Sequence, residues 1–280
     1  MGRKGHYDPA VDPYRLPTEA RLTELTLRVR DLDVSRRFYR EIVGLETVAD
    51  AGDLVLGPRS GHWTITLVAD PDAQLRPQPS IGLYHFALVV PDRPALARIM
   101  RHLDDRGWPL EGAADHGVSE ALYLRDPEGN GIEIYRDRPR DDWPRDDTGL
   151  FAMSADPLDA AGILAASPAG GPLDPDTRFG HIHLHAPSLE DGEAFYADRL
   201  GLVVTQRSYV GALFMSAGGE YHHHVGLNVW ARGRRAPEGA TGLISYAWTV
   251  PDRAPPGAEP VDGATALIDP SGVRVLFRTG

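Results

Sequence analysis

The strongest constraint on the fold of this chain is its internal repetition. Leu25-Thr-Leu-Arg-Val-Arg-Asp-Leu, followed by Phe38-Tyr39 and Gly44-Leu45, recurs 157 residues later as Ile182-His-Leu-His-Ala-Pro-Ser-Leu, Phe195-Tyr196 and Gly201-Leu202. A second pair lies downstream of each copy. His85-Phe-Ala-Leu-Val-Val-Pro-Asp-Arg matches Ser245-Tyr-Ala-Trp-Thr-Val-Pro-Asp-Arg, and Asp126-Pro-Glu-Gly matches Asp269-Pro-Ser-Gly. Repetition of this kind means one supersecondary unit used several times, each copy covering its apolar face with another. The chain therefore reads as four β-α-β-β-β units, at about 22–70, 84–137, 179–231 and 243–279.

Helix signals fall where this reading needs them. In unit one Val34, Phe38 and Ile42 recur every four residues, and Gly44 can close the helix as a left-handed C-cap. In unit three Ser188-x-x-Asp191 resembles a capping box, and Gly201 ends the helix. Unit two carries Leu96, Ile99, Met100 and Leu103 before Gly107; unit four has Arg253-Ala-Pro-Pro-Gly instead, so its helix is expected to be reduced or lost. The proline-rich stretch between units two and three is long for a loop in a compact domain, with room for one short helix between Pro157 and Ala166. The expected division is a tail at 1–20, a two-unit domain at 21–137, a linker at 138–178 and a second two-unit domain at 179–280.

Composition narrows the chemistry. A net charge of −11 disfavours nucleic acid and anionic membrane surfaces as partners. No apolar run approaches the roughly 18 residues of a membrane span, and the first 17 residues hold no signal-peptide core. With zero cysteines, any metal must be held by His, Asp or Glu, and the default compartment is the cytoplasm. A homo-oligomer remains open.

The stretch His116 to Tyr135 reads as a hairpin. Ser119–Arg125 has a strand pattern, Asp126-Pro-Glu-Gly-Asn-Gly131 is a cluster of turn residues, and Ile132–Tyr135 resumes a strand. Within it Glu133 sits between two β-branched residues and points away from their face, into solvent or into the interior of a curved sheet. The spacing of His116, Leu122-Tyr123, Asp126-Pro127-x-Gly129 and Glu133 resembles the signature of the extradiol ring-cleavage dioxygenases, apart from Ala114. The repeated units are similar to those of the vicinal oxygen chelate superfamily, which includes glyoxalase I, the bleomycin-resistance proteins and these dioxygenases. GLYHFAL, HGVSEALYLRDPEGNGIEIYRDRP, GHIHLHA and GGEYHHHVGLNVWA bring the two-domain bacterial catechol-2,3-dioxygenases nearest.

The resemblance implies an α+β fold of four βαβββ modules forming two curved mixed-sheet half-barrels. It also implies Fe(II), with Mn(II) as the alternative, held by two histidines and one carboxylate, and a catechol-type substrate cleaved with O2. Unit two offers His85 and Glu133, and unit three offers His181; unit one offers Glu24, and unit four only Ser245 and Leu276. Pairing of units one and two would give Glu24, His85 and Glu133. Pairing of units two and three would give His85, Glu133 and His181, the family's set, and is the expected arrangement. By the same likeness His223 is the acid–base group, with His222 and His224 on the opposite strand face, while Tyr123 and His116 donate hydrogen bonds to substrate oxygens. Structural readings stand beside these: His222–His224 as a solvated loop, Glu24 as an exposed carboxylate, His183 and His185 as hydrogen-bonding or water-facing, His62 and His102 without a role. Two other functions fit the same superfamily: an isomerase or lyase with Glu24 as an extra ligand, and a metal-free binding protein of the resistance type.

Overall fold

A computed structural model of the chain describes residues 14–280. Most of the expected N-terminal tail lies outside the described residues. Where the described chain begins it is already packed, with Tyr14 and Leu16 buried. Unit one runs through β1 (Arg21–Val29), α1 (Leu32–Arg37, continued by a wider π-helical turn at Phe38–Val43), β2 (Glu46–Ala51), β3 (Asp53–Gly57) and β4 (Thr64–Ala69). Unit two comprises β5 (Gly82–Val89), α2 (Arg93–Asp105), β6 (Gly112–Asp115), β7 (Ser119–Arg125) and β8 (Gly131–Asp137). The connecting stretch holds β9 (Asp156–Pro157) and α3 (Ala160–Ala165). Unit three has β10 (Arg178–His185), α4 (Leu189–Glu193, with a π-helical continuation at Ala194–Arg199), β11 (Val203–Gln206), β12 (Ala212–Ser216) and β13 (Val225–Asn228). Unit four has β14 (Gly242–Val250), β15 (Glu259–Val261), β16 (Ala264–Ile268) and β17 (Arg274–Thr279), and no helix separates β14 from β15.

The helix ends follow the sequence signals. Asp31 accepts the Val34 amide hydrogen at 2.9 Å, Asp92 that of Ala95 at 2.8 Å, and Ser188 Oγ that of Asp191 at 3.0 Å, each filling one orphan donor of a first turn. Gly44 closes the first helical segment at φ 96°, a conformation that suits glycine.

The four units pair in a nested order. The outer units one and four form an eight-stranded sheet ordered β15-β16-β17-β14-β1-β4-β3-β2; the inner units two and three, with β9, form a nine-stranded sheet ordered β11-β12-β13-β10-β5-β8-β7-β6-β9. The same design recurs in both. First strands meet antiparallel at the centre, β1 with β14 and β5 with β10, and each is flanked by a parallel strand of its own unit. These are curved mixed sheets, two modules to each. Leu25 and Leu27 of β1, Phe86 and Leu88 of β5, Ile182 and Leu184 of β10, and Tyr246 and Trp248 of β14 belong to one continuous buried cluster. Strand alternation then sends the intervening residues to the opposite, curved-in face of each sheet.

Nesting places unit one in a different sheet from unit two, and unit three in a different sheet from unit four, and a repeated hydrogen bond ties each pair back together. Tyr39 of unit one donates to Asp126 Oδ2 of unit two at 2.8 Å, and Tyr196 of unit three donates to Asp269 Oδ2 of unit four at 2.8 Å. The two repeated motifs, Phe-Tyr and Asp-Pro-x-Gly, are thus the two ends of one contact made twice.

Candidate metal centre

The inner sheet brings its functional residues together by register. In one row His181 on β10 lies opposite Ala87 on β5, Ala87 opposite Glu133 on β8, and Glu133 opposite Tyr123 on β7. In the next row Gly226 on β13 stands beside His183, His183 opposite His85, and His85 beside Gly131. Small residues between and around large ones allow the side chains to converge. A Cβ at Gly226 would fall 2.9 Å from the His183 ring, and one at Gly131 would fall 2.2 Å from the Tyr84 carbonyl oxygen and 3.0 Å from His85 Cβ. Neither position has room for a side chain.

Three donor atoms meet on this face. His85 Nε2 is 3.0 Å from Glu133 Oε2, His181 Nε2 is 3.1 Å from the same oxygen, and the two nitrogens are 3.3 Å apart. All three residues are buried. Among the described residues this is the one group of three His, Asp or Glu side chains close enough to share an ion. Ligand atoms on one face of an octahedron with bonds of about 2.1 Å lie about 3 Å apart, so the triangle has the size that such an ion needs. The protonation states also fit. Burial drives His181 down to about 4, against the pull of Glu133, while the nearby His181 and His85 hold Glu133 well below the usual carboxylate range despite its burial. At neutral pH His181 is therefore neutral and Glu133 anionic, the forms that bind metal. The triad can hold a metal ion.

Glu24 does not take part. It lies in the outer sheet, at the position equivalent to His181, opposite Ala247, and forms an ion pair with Arg278 at 2.5 Å. Ser245 and Leu276 stand at the corresponding places on β14 and β17. The outer sheet thus carries a carboxylate–guanidinium pair where the inner one carries the triad. The alternative set Glu24, His85 and Glu133 is ruled out by this separation, and so is Glu24 as an extra ligand.

Above the triad lies a cavity of about 220 Å³, walled by Tyr84, Met153, Tyr209, Phe214 and Trp230 and reached by Tyr123, His183 and His223. Tyr123, opposite Glu133, is half-buried; desolvation of its hydroxyl and the nearby carboxylate push it well above the usual tyrosine range and keep its proton on. His116 bonds at both nitrogens: Nδ1 lies 2.5 Å from the Ser154 carbonyl oxygen and Nε2 lies 2.6 Å from the Tyr123 hydroxyl. A carbonyl only accepts, so Nδ1 carries the hydrogen and Tyr123 donates to Nε2. Both ring nitrogens of His116 are thus engaged by neighbouring groups of the chain.

The run His222–His224 is neither a solvated loop nor a strand. It is an irregular approach to β13, with His222 and His223 buried and His224 half-buried. His222 and His223 therefore do not point to opposite sides: their Nδ1 atoms are 2.8 Å apart. The His223 ring lies against His181 at 4.1 Å between centroids, and burial together with the neighbouring His181 pushes it well below the usual histidine range. His224 turns away toward Trp248. Asn228 settles His183 and His185, donating to His183 Nε2 at 3.0 Å and accepting from His185 Nδ1 at 2.6 Å. His62 is exposed, and His102 is buried with Nε2 at 3.1 Å from the Glu41 carbonyl oxygen.

Comparison with known proteins agrees with the fold. Residues 21–134 match the profile of the Glyoxalase/Bleomycin resistance protein/Dioxygenase superfamily. The chain is 42% identical over 233 residues to catechol-2,3-dioxygenase of Bacillus subtilis, covering 80% of this chain and 81% of that one. It is 28% identical over 120 residues to biphenyl-2,3-diol 1,2-dioxygenase 3 of Rhodococcus globerulus, covering 42% and 63%. Among solved structures, a provisionally assigned dioxygenase of Bacillus subtilis superposes with a TM-score of 0.68 at 18% identity, over 95% of this chain and 86% of that one. Maize glyoxalase I superposes with a TM-score of 0.57 at 16% identity, over 93% and 92%. The chain belongs to the Glyoxalase/Bleomycin resistance protein/Dioxygenase superfamily. Within that superfamily it stands among the dioxygenase enzymes.

Proposed function

We propose that the protein is an Fe(II)-dependent extradiol dioxygenase that opens the ring of catechol-like aromatic diols with O2. The observation that carries this reading is the triangle of His85, Glu133 and His181 at the floor of a cavity that also holds a buried neutral imidazole and a protonated phenol. A facial set of two histidines and one carboxylate is the ligand set of non-haem Fe(II) oxygenases and leaves the opposite face for reactants. The bound ion would supply the centre at which an aromatic diol and dioxygen react together; Mn(II) could fill the same three ligands.

The chain's own residues have separable tasks. His85, Glu133 and His181 hold the ion, and Glu133 supplies the one negative charge among them. His223, neutral and lining the cavity, takes the proton that a catechol hydroxyl gives up at Nε2 and returns it when the ring opens. Tyr123 orients the diol: it donates to a substrate oxygen, where charge develops, when His116 Nε2 takes up a proton and donates to the tyrosine oxygen in its place. Tyr84, Tyr209, Phe214 and Trp230 provide apolar walls that keep water from the reacting centre.

Cavity size and charge narrow the substrate. An engineered apolar cavity of about 150 Å³ accepts benzene, so the 220 Å³ here suits a single ring with modest substituents. Among the described residues no lysine or arginine lines it, while Glu133 does, which favours a neutral diol over a carboxylated one. No helix among the described residues is long and apolar enough to cross a membrane. The compartment we propose is the cytoplasm, on the absence of cysteine. Anaerobic loading with Fe(II), followed by oxygen uptake across a panel of catechols, tests the assignment: uptake with ring-fission product supports it, and failure to bind Fe(II) contradicts it.

A further inference from the structure

Three polar groups run in line away from the cavity. His223 Nδ1 is 2.8 Å from His222 Nδ1, and His222 Nε2 is 3.0 Å from Asp137 Oδ1. Asp137 arrives there by strand alternation, because Glu133, Tyr135 and Asp137 project from the same face of β8. The strand that carries the carboxylate of the triad thus also carries the end of the line. The middle ring is held on several sides. His222 packs at 4.1 Å on Tyr221 and at 5.2 Å on Trp143, with Tyr135 at 5.9 Å. Tyr221 in turn shares a hydrogen bond with Tyr135 at 2.7 Å and donates to Asp137 Oδ2 at 3.0 Å.

We propose that Asp137 and His222 are positioning residues that hold His223 in a single tautomer, its Nδ1 protonated and its Nε2 lone pair presented to the cavity. The proposal rests on reading His223 as the acid–base group. The chain of donors and acceptors admits one neutral order. An ionised carboxylate only accepts, so Asp137 requires the hydrogen of His222 on Nε2. His222 Nδ1 is then a lone pair, and the His223 nitrogen facing it must be the donor. The remaining nitrogen, His223 Nε2, has no hydrogen-bond partner among the described residues and belongs to a ring that lines the cavity. With the hydrogens reversed, a lone pair of the buried His222 ring would face the carboxylate at 3.0 Å, leaving two acceptors against each other. A carboxylate sets an imidazole tautomer in the same way in Ser-His-Asp enzymes, where replacing it by its amide keeps the geometry and costs about 10⁴ in turnover. Here the instruction passes through one more ring.

The test reads the tautomer and the chemistry separately. Full-length protein labelled with ¹⁵N-histidine is loaded with Zn(II), and two-bond ¹⁵N–¹H correlation spectra are recorded, His223 being assigned through His223→Gln. The expected spectrum shows His223 protonated on Nδ1 and bare on Nε2. In Asp137→Asn the amide can donate to His222 Nε2 and reverse the chain, so the Nδ1-protonated signal of His223 should lose population. In the Fe(II) form the same variant should keep its metal content and catechol affinity while kcat falls by about 10² or more. An Nε2-protonated His223 in the wild type, or an Asp137→Asn enzyme with wild-type kcat, would overturn the proposal. Absence of ring cleavage in the wild type would instead remove the acid–base reading, while the spectrum would still decide the tautomer.

Discussion

Tyr196 donates a hydrogen bond of 2.8 Å to Asp269, and both groups are buried. Tyr196 also meets the Tyr246 hydroxyl at 2.8 Å, and Asp269 accepts the Val273 amide hydrogen at 2.8 Å, so the carboxylate organises its own turn while tying two units together. Burial outweighs these bonds and pushes Asp269 up to about 6. An unfolded aspartate titrates near 4, so the folded state binds this proton more tightly, and the resulting stabilisation is complete below about pH 4 and lost as pH rises through about 6. Urea unfolding of the wild type and Asp269→Asn should therefore show stabilities that diverge between pH 4 and 7, the wild type losing roughly 1–3 kcal/mol relative to the variant. Parallel pH curves would show that Asp269 titrates as it does in the unfolded chain.

Beneath the triad, Ala87 separates His181 and Glu133 on strands that do not pair with each other, yet their side chains meet at 3.1 Å. Ala87 is fully buried. Ala87→Val adds two methyl groups under that contact, and overpacking of this sort typically costs about 1–3 kcal/mol. The expected result is a folded protein whose Fe(II) affinity, measured by chelator competition, falls at least about tenfold. An unchanged affinity would mean that the triad does not depend on the small residue between its strands.

The nested pairing makes a sharp contrast between two carboxylates. Glu133→Gln should lose far more than the roughly 10–100-fold in metal affinity typical of groups that merely support ligands, and His181→Ala should lose it likewise. Glu24→Ala should bind metal as the wild type does, because Glu24 is paired with Arg278 in the other sheet. Metal analysis after gel filtration distinguishes the three; a Glu24→Ala protein stripped of metal would contradict the assignment.

The cavity should discriminate by charge. Unsubstituted and alkyl catechols are expected to exceed ring-carboxylated ones in kcat/KM by about tenfold or more, since one desolvated charge without a partner costs upward of 1.4 kcal/mol. Equal rates across the series would show that a cation reaches the substrate from outside the described lining.

His85, Glu133 and His181 were named from the resemblance to the dioxygenase ligand set; strand alternation alone left Glu133 facing either solvent or the interior of the sheet. The four units were legible because two motifs recur with their spacing intact. The walls were not. Met153 and Ser154 come from the proline-rich connection, whose Pro157 pairs with Ala114 at the sheet edge, and Tyr209 and Trp230 come from turns that tertiary packing alone positions. Asp137 carried a faint signal, being two and four residues beyond Tyr135 and Glu133 on one strand face. The histidine run was misjudged because alternation holds only while the backbone is extended, and 222–224 precede the strand.

His223→Ala separates binding from chemistry. It should retain Fe(II) and catechol affinity and lose about 10² to 10⁴ in kcat, the usual share of a positioned proton-transfer group. His224→Ala, whose ring faces Trp248, should change turnover little. Sensitivity in the reverse order would move the acid–base role to the other ring.

The most direct measurement of the central claim is oxygen uptake by protein loaded anaerobically with Fe(II), with catechol as substrate and Glu133→Gln as the control. The account predicts one Fe(II) per wild-type chain, one O2 consumed per catechol with appearance of a ring-opened product, and neither metal nor uptake in the variant. Stoichiometric Fe(II) in Glu133→Gln, or a metal-loaded wild type that binds catechol and consumes no oxygen, would contradict it.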